Sequence, residues 1–108
     1  MESSDETFGT SALSMEVLRQ RLERVLSVRF QPHDSSYFGG DYYRCEAAPE
    51  EEMILFRNDV PDEEGEVVQP QNAQYSVLFE VMSTSRGDEL RAALSAIPEL
   101  TLIRQERY

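Results

Sequence analysis

Side chains able to make and break bonds at neutral pH are scarce in this chain. His33 is the only histidine and Cys45 the only cysteine. Composition alone therefore excludes an intrachain disulfide, a cysteine-based metal cluster and most nucleophile–base pairs. His33-Asp34-Ser35 contains the three residue types of a serine triad. Neighbours in a turn do not converge on one site, however, and no Gly-x-Ser-x-Gly elbow accompanies them. His33 is read as a turn histidine and Cys45 as a small hydrophobe facing inward from a strand. Gly39-Gly40 lacks the helix and lysine of a phosphate-cradling loop. Arg86-Gly87-Asp88 matches an adhesion tripeptide only as a chance string at a helix start.

Asp59, Asp62, Glu63, Glu64 and Glu66 are the ligand type that calcium takes, but their spacing is not that of an EF-hand loop and prolines interrupt it. Paired carboxylates for glycoside hydrolysis need a cleft on a larger scaffold. No metal, cofactor or catalytic role is expected. The chemistry left is recognition. Tyr37, Phe38, Tyr42 and Tyr43 cluster about Gly39-Gly40. The alternation that turns Tyr43 and Cys45 toward a core turns Tyr42 and Arg44 to the opposite face. Tyrosine and arginine beside an acidic loop have the composition of a protein-binding surface. Tyr37, Tyr42 and Arg44 are thus predicted to anchor a protein partner, and Asp59, Asp62, Glu63, Glu64 and Glu66 to steer it electrostatically. The alternative for that face is a cover formed by the loop or by a homodimer partner.

The elements that must position these residues follow from hydrophobic period. Residues 1–12 are polar, acidic and aperiodic, and a disordered tail is expected there. Residues 13–108 are expected to form one domain. Leu18, Leu22, Val25 and Leu26 draw one apolar stripe on a helix starting near Ser14. Val28 and Phe30 alternate with Arg29 in a strand over 27–31, which Pro32 stops; Pro32-His33-Asp34-Ser35-Ser36 reads as a turn. Residues 41–46 form the expected central strand. The apolar run over 52–57 predicts a strand buried on both faces. Residues 58–74 are a long polar loop broken by Pro61, Gly65 and Pro70, of a length that is often functional or disordered. Tyr75 to Met82 is a further strand. Ser85 is expected to cap a second helix, with Leu90, Ala93, Leu94 and Ile97 as its stripe. A last strand spans 100–105. The resulting α+β prediction has the order α-β-β-β-β-α-β: a four- to five-stranded mixed, mainly antiparallel sheet with two helices on one face, the closing strand–helix–strand being a parallel crossover.

Charge bounds the partner. The chain of 108 residues carries 21 acidic against 10 basic residues, a net charge of −11, and every basic residue is arginine. The segment from Glu46 to Glu66 holds nine acidic residues and one arginine, hence −8 of that total. A phosphate backbone would be repelled, so nucleic acid is not expected as a partner. A basic protein would be attracted. No apolar run approaches the roughly 18–20 residues of a membrane helix, and Met1 to Glu6 lacks the basic and apolar regions of a signal peptide. No membrane association and a cytoplasmic location are therefore expected.

Val28-Arg29-Phe30, Asp34-Ser35-Ser36-Tyr37 and Gly39-Gly40-Asp41-Tyr42-Tyr43-Arg44, with the acidic loop and the helix ending near Ala96-Ile97-Pro98, resemble small acidic bacterial proteins of uncharacterised function. The resemblance covers most of residues 14–106 and carries no functional residues with it. In size, acidity and α+β order the chain is also similar to immunity proteins that neutralise secreted bacterial toxins. The expected function is a protein-interaction module, in its specific form an immunity protein binding a basic toxin domain. The alternatives are a small-ligand binder or enzyme with a pocket between the open sheet face and the acidic loop, and a self-associating structural or regulatory protein.

Overall fold

The computed structural model describes residues 3–108. Six strands and two helices follow in the order β1 (Ser4–Thr10), α1 (Met15–Leu26), β2 (Gln31–Ser35), β3 (Gly40–Ala48), β4 (Glu51–Arg57), β5 (Val77–Thr84), α2 (Gly87–Leu94) and β6 (Thr101–Arg107). Short 3₁₀ turns lie at Ser36–Phe38 and Pro70–Asn72. The strands form a single sheet in the spatial order β2-β3-β4-β5-β1-β6, with each neighbouring pair antiparallel.

Both helices bury an apolar stripe against one face of this sheet. In α1 the Ser14 hydroxyl accepts from the Val17 N–H at 3.2 Å, satisfying one of the donors that the first turn leaves free. Ser27, in the left-handed region at φ 55°, ends the helix. Leu18 and Leu22 of α1 and Leu90 and Leu94 of α2, with Ile97 just beyond it, meet Met53, Leu55, Phe79 and Val81 of the sheet. Phe79 is fully buried, with the Phe8 and Phe30 rings at 6.0 and 6.1 Å. Each large side chain so buried contributes about 1.5–3 kcal/mol. On the other face Ile54, Phe56 and Leu78 form a smaller cluster, covered in part by Phe38, Tyr42, Val68, Tyr75 and Ile103. β4 is thus buried on both faces, as its continuous apolar run implied.

The largest correction concerns the N-terminal segment. Ser4–Thr10 is not a disordered tail but an inner strand, inserted between β5 and β6. Phe8 packs in the main core, and Gly9 lies against the Tyr75 ring and Ile103, where a Cβ would approach both to 2.7 Å. This insertion also changes the sheet. The β5–α2–β6 connection does leave β5 and β6 running in the same direction, but β1 lies between them and is antiparallel to both. Among the described residues the sheet therefore has six strands and no parallel pair, rather than four or five strands in a mixed arrangement.

Smaller corrections have local causes. Residues 28–30 pack without joining the sheet, and the strand is Gln31–Ser35, where a turn was expected. Pro32 is tolerated there because β2 is an edge strand. β3 is consequently second from an edge, not central. Ser85 does not cap α2; Arg86 occupies that position without a side-chain cap, and its N–H donates to Thr84 Oγ1 at 3.1 Å.

Two acidic side chains are buried where the sheet meets the N-terminus of α2. Glu6 is 1% exposed and accepts from Ser4 Oγ at 3.0 Å and from Arg91 Nη1 at 2.8 Å. Its carboxyl group lies against Gly87, where a Cβ would fall 2.0 Å from Oε2. The positive end of α2 is thus occupied by an acidic group of the chain itself. Glu51 accepts from Arg86 Nη2 at 2.7 Å and from Thr84 Oγ1 at 2.7 Å. Burial pushes its carboxyl up, but the hydrogen bonds from Arg86 and Thr84 and the Arg86 charge outweigh that and hold it below the usual range.

Candidate functional site

The site is built by one asparagine that holds the acidic loop onto the sheet. Asn58, at the end of β4, is 1% exposed. Its side-chain amide donates to the carbonyls of Gln69 and Asn72 at 3.1 and 3.0 Å, and its Oδ1 accepts from the Gln69 N–H at 2.7 Å. The backbone N–H of Asn58 donates to the Ser76 carbonyl at 2.7 Å. These bonds clamp the two ends of the 58–74 segment. A second closure lies at its tip. Asp62 Oδ1 accepts from the N–H groups of Glu64 and Glu66, both at 2.9 Å, and Gly65, at φ 83°, makes the reversal. Replacing Asn58 with Ala strands several buried polar groups, each costing about 1–3 kcal/mol. Asn58→Ala is therefore expected to lower stability by about 2–3 kcal/mol and to raise amide exchange across residues 60–72, measured by urea unfolding and hydrogen exchange. An unchanged exchange pattern would show that the loop does not depend on this clamp.

The opposing wall comes from the chain reversal between β2 and β3. Ser35 Oγ accepts from the Tyr37 N–H at 3.2 Å. Gly39 and Gly40 adopt φ 77° and 113°, conformations open to glycine at no steric cost. Phe38 anchors the turn, with its ring 5.2 Å from Phe56 and 4.6 Å from Tyr42. Tyr37 is left projecting, 75% exposed, edge-on to Phe38 at 4.9 Å.

Between this turn and the loop lies a groove of about 750 Å³. Its apolar part comes from Val60, Pro61, Val67 and Val68, and its acidic part from Asp34, Asp62, Glu63 and Glu66, with Tyr37 in the wall. Of the residues singled out from the sequence, the structure brings Tyr37, Asp62, Glu63 and Glu66 to this one concavity. Glu64 is exposed at the loop tip outside its lining. Asp59 pairs with Arg57 at 3.2 Å. Tyr42 and Arg44 lie on the expected face, opposite Phe56 and Ile54 respectively, but both are engaged within the chain. Tyr42 stacks on His33 at 5.5 Å, and Arg44 pairs with Glu52 at 3.0 Å and Glu46 at 3.6 Å. Sequence reasoning missed Asp34, Asn58 and the loop valines. The signal for the valines was three apolar side chains inside an otherwise acidic segment.

The remaining tyrosine and the cysteine belong to the helix side. The Tyr43 hydroxyl donates to Glu16 at 2.8 Å, and Arg19 lies 5.2 Å over its ring. The hydrogen bond to Glu16, with burial, pushes the Tyr43 hydroxyl up. Hydrogen bonds from Arg19 and Tyr43 hold the Glu16 carboxyl down. Burial pushes the Cys45 thiol up, which disfavours the thiolate that a nucleophile requires. Among the described residues no group of three or more His, Cys, Asp or Glu side chains is placed to hold a metal ion, and no helix is long and apolar enough to cross a membrane. No protein-family model and no curated protein matches the chain.

Proposed function

We propose that the chain is a small acidic protein-interaction module that receives a basic segment of a partner protein in the groove between the Tyr37 turn and the 58–74 loop. In its most specific form the partner is a basic toxin domain and the chain an immunity protein acting in the cytoplasm. The observation that carries the reading is the convergence of an exposed tyrosine and four carboxylate side chains on one concavity with an apolar floor. An aromatic wall beside acidic groups suits an arginine or lysine side chain, which gains from both the ring face and the carboxylates. Asp59 and Glu64 contribute to the field that steers association, and Arg44 and Tyr42 shape the adjoining sheet face.

The test is affinity capture from lysate of the source organism at low and high salt, followed by binding measurements on whatever single protein is retained. Tyr37→Ala is expected to weaken that complex by about 2 kcal/mol, the cost typical of truncating an interface anchor. Replacing Glu63, Glu64 and Glu66 together with Gln is expected to slow association and flatten its salt dependence. Asp62 is left intact because it closes the loop tip. A partner bound equally well by both variants would remove the groove from the interface. A small-ligand reading is favoured by one observation, the groove volume, which falls within the range of about 300–1,000 Å³ typical of ligand sites. It would be supported by a low-molecular-weight cation that competes with no protein partner.

A further inference from the structure

The two edges of the sheet are not equivalent. β2, beside the acidic groove, carries Pro32, whose missing N–H blunts an edge against further pairing. β6, at the opposite edge, is a seven-residue strand with no proline, exposed along nearly its whole length. Its backbone register shows which groups are free. Ser3 and Tyr108 exchange both backbone hydrogen bonds, at 3.4 and 3.0 Å. In an antiparallel ladder such pairs alternate with pairs whose N–H and C=O groups point away. Arg107, opposite Ser4, and Gln105, opposite Glu6, therefore direct their backbone groups outward.

The side chains of that edge are charged in a particular order. Arg104 and Glu106 face the same side of the sheet, opposite Thr7 and Asp5, and form an exposed pair at 2.9 Å, with 67% and 57% of their side chains accessible. Charges on an edge strand ordinarily discourage pairing. Here they discriminate between registers. For two copies of β6 meeting antiparallel about a two-fold axis, the outward backbone groups permit centres at Arg104, Gln105 or Glu106, and at Arg107 with little of the strand overlapping. The first sets Arg104 against Arg104 of the second copy, and the third sets Glu106 against Glu106. Only the centre at Gln105 sets Arg104 against Glu106, and it does so twice by symmetry. It also lets the two Gln105 backbones exchange both of their hydrogen bonds. Side chains of a pair that exchanges no hydrogen bonds lie closest, and that is where Arg104 and Glu106 would meet. The Gln105 side chain does not interfere, because, opposite Glu6, it is turned to the helix face, where its amide lies against Arg91 and Arg107.

From this register we propose that the chain forms a homodimer through antiparallel β6–β6 pairing centred on Gln105, specified by two reciprocal Arg104–Glu106 contacts and continuing the six-stranded sheet across the two-fold axis. The acidic grooves then lie at the two outer edges, as far apart as the sheet allows, so the net charge of −11 per chain opposes association least.

The test is a reciprocal charge swap read by sedimentation equilibrium of the full chain from micromolar to millimolar concentration. The unaltered chain is expected to dimerise. Arg104→Glu and Glu106→Arg, each alone, set like charges opposite one another twice and should weaken self-association by about tenfold or more. Mixing the two variants should restore a dimer, because each strand then meets its complement, and the chain carrying both substitutions should dimerise by itself. Both positions are exposed, and unchanged urea midpoints of the variants would confirm folding. A monomer mass for the unaltered chain throughout the range would overturn the proposal. So would a dimer indifferent to both substitutions, or two variants that do not rescue each other.

Discussion

Deleting residues 1–11 is expected to abolish cooperative folding rather than trim a dispensable end. β1 is hydrogen-bonded on both sides, to β5 and to β6. Among the described residues β6 has no other strand neighbour, so its removal detaches β6 and exposes the flank of β5. It also takes Phe8 from the core beside Phe79 and Glu6 from beneath α2. Domains of this size are stable by only about 5–15 kcal/mol, and losing an inner strand with its core aromatic exceeds what such a margin can absorb. Far-UV circular dichroism and urea titration of the truncated chain should show no cooperative transition. Phe8→Ala, which leaves the backbone ladder intact, isolates the packing component and should cost about 3–5 kcal/mol. A truncated chain that unfolds cooperatively at the midpoint of the full chain would mean that β1 is not integral to the sheet.

The second large effect is expected from Arg91→Ala. Arg91 places one guanidinium nitrogen on the buried Glu6 and also pairs with Asp88. Removing the cation leaves the Glu6 carboxyl group, 1% exposed, without its counter-charge. Breaking a buried pair in this way typically costs about 3–5 kcal/mol, more than the pair itself contributes, because the desolvation cost of the remaining partner is no longer offset. Glu6→Gln alone should cost less, and adding it to Arg91→Ala should cost little more than Arg91→Ala by itself. Urea denaturation of the four chains of this double-mutant cycle measures that coupling. Strictly additive effects would show that Glu6 and Arg91 stabilise the fold independently. α2 begins without a side-chain cap, and the Glu6 carboxyl group of β1 lies against its first residue, Gly87.

Both effects arise where local sequence was least informative. Over Ser4–Thr10 only Phe8 is a large hydrophobe. The remaining residues are polar or small, and a period-2 apolar signal cannot be drawn from one residue. Their burial is compensated by groups distant in sequence: Arg91 for Glu6, the Tyr75 ring over Gly9, and the Ser83 N–H, which donates to Asp5 at 2.9 Å. The same holds for the groove. The acidic loop and the exposed tyrosine were legible as composition, but the clamp that sets one against the other is Asn58, a single polar residue whose partners Gln69, Asn72 and Ser76 lie 11 to 18 positions along the chain. Arg44 and Tyr42 were assigned to the correct face by alternation, yet alternation could not reveal that Glu52 and His33 would engage them.

What the sequence by itself determined is whatever depends on near neighbours. Apolar spacing specified the two amphipathic helices and the doubly buried β4; the paired glycines marked the reversal before β3, though Pro32 marked none; charge counting located the acidic loop. These signals are local because helix stripe, strand alternation and turn geometry are set within a few residues. The tertiary structure alone decided that a polar N-terminal segment becomes an inner strand, that neighbouring strands among the described residues are all antiparallel, and that Tyr37 shares one groove with Asp62, Glu63 and Glu66. Each of these rests on partners separated in the chain, whose charge and hydrogen-bonding needs are met only once the strands have assembled.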